Sequence, residues 1–409
     1  MGQLAINGGA KTRTKGWPGW PIFDESEVQA LAEVCRSGNW GCLSGSKIAE
    51  FEKKFPEFQD AKYGVCIVNG TAALEVALKA VGVKAGDEVI VPPYTFIASA
   101  SSVLTIGAIP VFVDIDDDTY NLDPTKIEAA ITDKTKAILA VHIGGGPADM
   151  DGIMAVAKKR GLKVVEDAAQ AHGAAWNGRR VGAIGDAGTF SFQSSKNLNS
   201  GEGGIVVTND PDVYSTAWSL HNCGRVPEGR WYEHRVLGWN MRMTEFQGAI
   251  LLEQMKRLED QIKTREENAL YLDSLLSKIE GIRPLKRDSR VTTHAYHLYI
   301  FRYDSKGFKG VPRARFLQAL SAEGIPCSAG YVPLYKEQMF YVEPGGCPIG
   351  CGFYGREMDY GKVSCPVTEN ACANESVWFG QNMLLGDRAD MDDIVRAIDK
   401  TKANIQELA

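Results

Sequence analysis

Short apolar runs alternate with helix-like stretches over residues 64–208, and no other property of this chain restricts its fold as much. The runs Gly64–Val68, Glu88–Val91, Val111–Val113, Ala137–Val141, Lys163–Val165, Thr189–Phe192 and Gly204–Thr208 read as strands, several of them unbroken Val/Ile segments. Thr71–Val81 and Ile153–Arg160 read as helices between them. Strands that are apolar on both faces and separated by helices belong to a mostly parallel sheet with helices on each side. A capping-box pattern, Thr244-x-x-Gln247, then opens a long helix, with Phe246, Ile250, Met255, Leu258 and Ile262 near helical spacing. Its polar stretch, Lys263–Asn268, is expected to cross into a second unit. The expected organisation is α/β: a large domain over 1–262, including the N-terminal segment, and a smaller α+β domain over 263–409. The second unit is expected to hold a strand at Tyr296–Arg302, a helix over Pro312–Glu323 and another strand near Ile325–Tyr331. A surface loop over Gly345–Lys362 and a terminal helix from about Met391 complete it.

The net charge of -6 argues against nucleic acid as a partner, and basic pairs such as Arg179-Arg180 read as solvated faces. There is no run of 18 apolar residues to span a membrane, and the N-terminal stretch lacks a secretory apolar core, so the expected compartment is the cytoplasm. Nine cysteines, an odd number, read as reduced thiols. Cys347 and Cys351 form a Cys-x3-Cys with Cys365 and Cys372 downstream, but no histidine follows His297, so no metal site is expected.

Four motifs fall at the ends of expected strands, where an open α/β sheet collects its ligands. Asn69-Gly-Thr-Ala-Ala73 closes one strand and opens a helix. Gly70 permits close backbone approach and Thr71 adds a hydroxyl, so the turn is either a phosphate cradle or a plain helix cap. Pro92-Pro-Tyr-Thr-Phe96 offers an aromatic that either stacks on a planar heterocycle or joins the core. Asp167 ends the strand that starts at Lys163 and is either a helix cap or the partner of a ring nitrogen, with Gln170 three residues on. Lys196 follows in Thr189-Phe-Ser-Phe-Gln-Ser-Ser-Lys, where a lone lysine is ordinarily a solvated one. One cofactor needs both a lysine amine, to hold its aldehyde as a Schiff base, and a carboxylate on its ring nitrogen. That cofactor is pyridoxal phosphate, and the four motifs in this order point to it.

The segments NGTAALEVAL, VPPYTFIASASSV, VVEDAAQAHGA, FSFQSSKNLNSGEGG and NMRMTEFQGAI together resemble the DegT/DnrJ/EryC1/StrS aminotransferases, from about Trp17 to the C-terminus. The resemblance implies a fold-type-I pyridoxal-phosphate enzyme. Lys196 would be the Schiff-base lysine and Asp167 the pyridinium partner, with Gln170 at the phenolate oxygen and Phe96 on the ring. Gly70, Thr71, Ser191 and Gln193 would surround the phosphate, and Asn240 would reach the cofactor of a neighbouring subunit, implying a homodimer with shared sites. Tyr331-Val-Pro-Leu-Tyr335 is similar to the family's active-site segment in the small domain, although its last position is more often His. Retention of Lys196 excludes the dehydratase branch, where histidine replaces the lysine.

Gln193 stands where most nucleotide-sugar members carry histidine. Trp17-Pro-Gly-Trp-Pro21 and Val377–Leu385 resemble the glutamine:scyllo-inosose aminotransferase and 3-amino-5-hydroxybenzoate synthase branch. The expected reaction is ping-pong transfer of an amino group from glutamine or glutamate, through pyridoxamine phosphate, to a ketone on a cyclitol or related carbocycle. Arg242 and Tyr331 are candidates for substrate contact; for Arg242 a surface or interface salt bridge is an equal reading. A keto nucleotide sugar as acceptor, an aromatising reaction and a catalytically silent regulatory protein are the alternatives.

Overall fold

Alternate residues along each strand of the main sheet belong to different cores. Cys66, Ile90, Ile138, Ala140 and Val164 pack on one face, while Ile67, Val89, Val91, Leu139 and Val165 pack on the other. Period-2 alternation with apolar residues on both sides is what makes the strands continuous Val/Ile runs in sequence. Each fully buried aliphatic side chain contributes about 1.5–3 kcal/mol.

The structure is a computed structural model that describes residues 2–341, 354–356 and 358–408. Its sheet contains β1 (Tyr63–Ile67), β2 (Glu88–Val91), β3 (Ile109–Phe112), β4 (Thr135–Val141), β5 (Lys163–Asp167), β6 (Ala187–Ser191) and β7 (Gly204–Thr208). The strand order is β1-β7-β6-β5-β4-β2-β3. Pairings among β2 to β6 are parallel, whereas β7 is antiparallel to both β6 and β1. Two reversals restore direction, so β1, β5 and β6 all point their carboxyl ends to one edge. Helices α1 (Gly70–Ala80), α2 (Ala98–Thr105) and α3 (Met150–Arg160) are among the crossovers. Asn69 and Asp149 cap α1 and α3 by accepting from Ala72 N–H and Gly152 N–H, and Gly161 in the left-handed region ends α3.

The long helix α4 runs from Glu245 to Leu276. At its start Gln247 Oε1 accepts from the Thr244 N–H at 2.8 Å, as the capping-box pattern predicts, and the Thr244 hydroxyl also donates to that oxygen. Leu251, Leu258 and Ile262 of α4 join the sheet core, whereas Ala269, Leu272 and Leu276 join another built from Phe301, Phe316, Val377 and Ile394. This second core contains β8 (Ile282–Pro284), β9 (Leu298–Tyr303) and β10 (Ser376–Gly380), ordered β8-β9-β10 and antiparallel throughout. Helices α5 (Arg313–Ala322) and α6 (Arg388–Ala403) cover it.

Three expectations differ from the structure. No strand forms at 325–331; Ser328 makes an isolated bridge to Trp378, and the strand facing it is β10. Pro326 has no N–H to donate, and a side chain at Gly330 would strike the Trp378 indole at 2.7 Å. The N-terminal segment, expected with the large domain, docks on the second core instead: Leu4 is buried there and Ala5 N–H donates to Glu323 Oε1 at 2.8 Å. Arg13 pairs with Asp390 and Asp393, each at 2.7 Å. Within the expected loop 345–362, Tyr354 and Tyr360 are buried, with hydroxyls donating to Glu88 and to the Pro110 carbonyl. Cys347 and Cys351 lie outside the described residues. Among the described residues no helix is long and apolar enough to cross a membrane.

Candidate active site

The carboxyl ends of β1, β5 and β6 and the amino end of β7 meet at one edge of the sheet. There the backbone closes tightly around Gly70. A side chain at Gly70 would meet Ser191 Cβ at 2.7 Å, and one at Gly204 would meet the Asn69 carbonyl oxygen at 2.5 Å. Only glycine permits such contact between three chain segments. The first N–H groups of α1 have no acceptor within the helix, and the helix dipole adds positive potential at its start. With Asn69 holding Ala72 N–H at 2.9 Å, the turn presents Gly70, Thr71 and the Ser191 hydroxyl as an anion cradle.

Asp167 ends β5 and is buried. Its Oδ2 accepts from Ser99 Oγ at 2.7 Å, and its Oδ1 accepts from Ala169 N–H at 3.2 Å. Ser99 Oγ and Thr95 Oγ1 lie 2.9 Å apart, so a pair of hydroxyls backs the carboxylate. Beside it, Glu166 is wholly buried and accepts from His142 Nε2 at 3.0 Å and from the N–H groups of Gly182, Ile184 and Gly185. Its carboxyl is held below the ordinary range by these donors despite its burial.

Lys196 follows β6 in a turn closed by its own N–H bonding to the Gln193 carbonyl at 2.9 Å. The residue is partly buried and its amine is desolvated, which pulls the amine down to about 8; the Asp167 carboxylate acts in the opposite direction. Lys196 and Asp167 therefore feel each other's charge across the site. Buried His172 donates through Nε2 to the Ser191 carbonyl at 3.0 Å; burial first, and the Lys196 charge second, push it down to about 3. Asn197, next to the lysine, donates to the Ala295 carbonyl at 2.7 Å and lies 3.2 Å from His297 Nδ1, tying the turn to the chain just before β9.

Phe96 is 56% exposed, an unusual position for a phenyl ring that follows a central strand. Gln170 is buried; its Oε1 accepts from Gly144 N–H at 2.7 Å and its Nε2 donates to Tyr331 Oη at 2.9 Å. Thus Asp167, Gln170, Tyr331 and Lys196 form one connected neighbourhood.

Gln193 folds back on its own turn, accepting from Ser195 N–H at 2.8 Å and Ser195 Oγ at 2.7 Å. Arg242 donates to Asn222 Oδ1 at 2.9 Å and lies 3.6 Å from Cys223 Sγ. Exposed Asn240 bridges Asn222 on the same segment, which runs beside β1 through Val68 N–H to the Met241 carbonyl at 2.8 Å. Among the described residues, neither Asn240 nor Arg242 bonds to Lys196 or Asp167. Ser99, Gly144 and Trp378 were not singled out from sequence. The Gly144-Gly145-Gly146 run after β4 was the readable signal for one of them.

The profile of the DegT/DnrJ/EryC1/StrS aminotransferase family matches residues 21–398. The chain belongs to this family. A Streptoalloteichus tenebrarius protein, whose assigned role as L-glutamine:3-amino-2,3-dideoxy-scyllo-inosose aminotransferase is provisional, is 41% identical over 412 residues, covering 99% of each chain. The L-glutamine:2-deoxy-scyllo-inosose aminotransferase of Streptomyces fradiae is 39% identical over 425 residues, covering 100% of each. The crystal structure of 3-amino-5-hydroxybenzoic acid synthase superposes with a TM-score of 0.86 at 33% identity, covering 97% of this chain and 100% of that one. The DegT/DnrJ/EryC1/StrS enzymes are pyridoxal-phosphate-dependent, and so is this aminotransferase. The residues present fit that group: a glycine-lined anion cradle, an exposed aromatic face, a buried carboxylate and a desolvated amine lie around one sheet edge.

Proposed function

We propose that this aminotransferase moves an amino group from glutamine or glutamate to a ketone on a polyhydroxylated carbocycle of the scyllo-inosose type. The observation that carries this reading is full-length identity near 40% to proteins named for that reaction. In this reading Lys196 holds the cofactor covalently, and once released its amine, lowered to about 8 by burial, serves as the base at the substrate carbon. Asp167 holds a proton on the ring nitrogen, and Ser99 keeps that carboxylate oriented. Gly70, Thr71 and Ser191 take the phosphate, and Gln193 contributes only if its side chain leaves the Ser195 turn. Phe96 supplies the stacking face and Gln170 a donor to the ring oxygen. Pyridoxal phosphate, when bound, supplies the electron sink for breaking the bond at the substrate's amino carbon.

We also propose a homodimer in which Asn240 completes the neighbour's site, with Arg242 as a companion at that interface or at a substrate carboxylate. The stretch before Asn240 supports this, since Trp231, Tyr232 and Leu237 are 79%, 76% and 90% exposed, more apolar surface than a solvated loop normally shows. The division at 262/263 is retained as a reading of the chain, with residues 2–17 assigned to the second unit.

The test is a screen of donors and acceptors that starts with glutamine and scyllo-inosose. Amino transfer to the carbocycle is expected; transfer only to a keto sugar linked to a nucleotide would replace this reading. A second reading, aromatisation of a carbocyclic substrate, is favoured by the 0.86 superposition on the benzoate synthase. It predicts an aromatic ultraviolet product in the same screen.

A further inference from the structure

The polar chain that leads from the backbone to Tyr331 has a fixed direction. Gly144 N–H can only donate, so the atom of Gln170 it meets at 2.7 Å is the amide oxygen and the other end is the NH2 group. That NH2 group donates to Tyr331 Oη at 2.9 Å. Tyr331 Oη is thereby an acceptor once, and its single proton is left for another partner. Among the described residues the Tyr331 hydroxyl donates to no protein acceptor.

The phenol is held by two rings, one from the segment after β2 and one from β10, in a cluster separate from both cores. Tyr94 meets it nearly edge-on, with centroids 5.6 Å apart and planes at 84°, and Trp378 of β10 does so at 4.5 Å and 76°. Neither neighbour has a polar group to spare. Trp378 Nε1 donates to Tyr94 Oη at 2.9 Å, and Tyr94 Oη shares a 2.5 Å bond with Ser376 Oγ. With Tyr94 donating to Ser376, the Tyr331 proton is the one left unassigned among the three rings. Burial, aided by the nearby Asp167 charge, raises the phenol above its ordinary value, so the group stays protonated through the working pH range.

We propose that Tyr331 is a specificity-determining donor whose hydroxyl hydrogen-bonds to an oxygen of the keto acceptor, a ring ketone or hydroxyl, while the second N–H of Gln170 serves the cofactor's ring oxygen. The donated hydrogen matches a carbonyl or hydroxyl oxygen at that position. This proposal rests on the aminotransferase reading above and concerns only its second half-reaction.

The experiment uses holoenzyme, wild type and Tyr331→Phe, with each half-reaction followed separately by its absorbance change. Glutamine is the donor probe and scyllo-inosose the acceptor probe. The variant should keep the wild-type visible spectrum and glutamine half-reaction within about twofold, while kcat/KM for scyllo-inosose falls about tenfold, the effect of one lost neutral hydrogen bond. Melting of the variant near the wild-type temperature accompanies this result. An unchanged acceptor half-reaction overturns the proposal. So does an equal loss in the glutamine half-reaction with a shifted pH titration of the spectrum, which would assign the proton to the cofactor. A wild-type enzyme that fails with glutamine or with scyllo-inosose refutes the proposed function itself, a distinguishable outcome.

Discussion

Lys196 is caught between two opposing influences, loss of water around its amine and the attraction of Asp167, and the first is larger. The lowering from 10.5 to about 8 has a signed consequence for stability. Below pH 8 the amine is charged in both folded and unfolded chains, and the folded site bears the desolvation cost. As pH rises from 8 to 10.5 the folded form releases its proton first, and the cost disappears. Cofactor-free Lys196→Met is therefore expected to be more stable than cofactor-free wild type at pH 7, by at most about 3 kcal/mol. The advantage should fade to nothing by pH 10.5, as read by urea unfolding across that range. In the holoenzyme Lys196→Ala should abolish borohydride-trapped cofactor and lower turnover at least about 10³-fold; a labelled adduct in the variant would contradict the assignment. Asp167→Ala should lower kcat by about 10²-fold or more, and Ser99→Ala, which removes one donor to that carboxylate, by about tenfold. Steady-state kinetics separates the two.

At the scale of elements, Asn69 joins the local code of a helix to the chemistry of the site. Asn69→Ala should destabilise the protein by about 1 kcal/mol and speed cofactor loss on dialysis, because the same turn caps α1 and shapes the cradle; unaltered cofactor retention would separate the two roles. The elements that were readable from sequence carry their signal locally. The strands β2 and β7 are Val/Ile runs bounded by turns, and Thr244 with Gln247 marks the start of α4. What was not readable depends on distant partners. β10 acquires strand form by pairing with β9, nearly eighty residues earlier. Its neighbour at 325–331 has enough Ile and Tyr to suggest a strand, but Pro326 and the close approach of Gly330 to Trp378 limit it to one bridge. The site shows the same division. Motif order points to Asp167, Gln170 and Lys196, whereas the contacts of Ser99 and Trp378 form only when α2 and β10 fold onto the sheet edge. The resemblance places Gln193 at the phosphate, and sequence position does not reveal that its amide oxygen accepts from Ser195.

For the whole molecule, the exposed apolar residues before Asn240 make association testable. Leu237→Asp, at a position 90% exposed and outside both cores, should leave the subunit folded, shift sedimentation toward monomer and lower activity in parallel. A variant that stays dimeric and active would move the interface elsewhere.

The continuity of α4 sets how such an enzyme can breathe. Its 32 residues make a rod about 48 Å long, and from Ala249 to Leu276 the helix contains neither glycine nor proline. One stiff beam embedded in both cores resists the scissoring by which many two-lobed enzymes open and shut. Substrates must then come and go through loops at the sheet edge, so spin labels placed on the two lobes should report one unchanging separation throughout turnover.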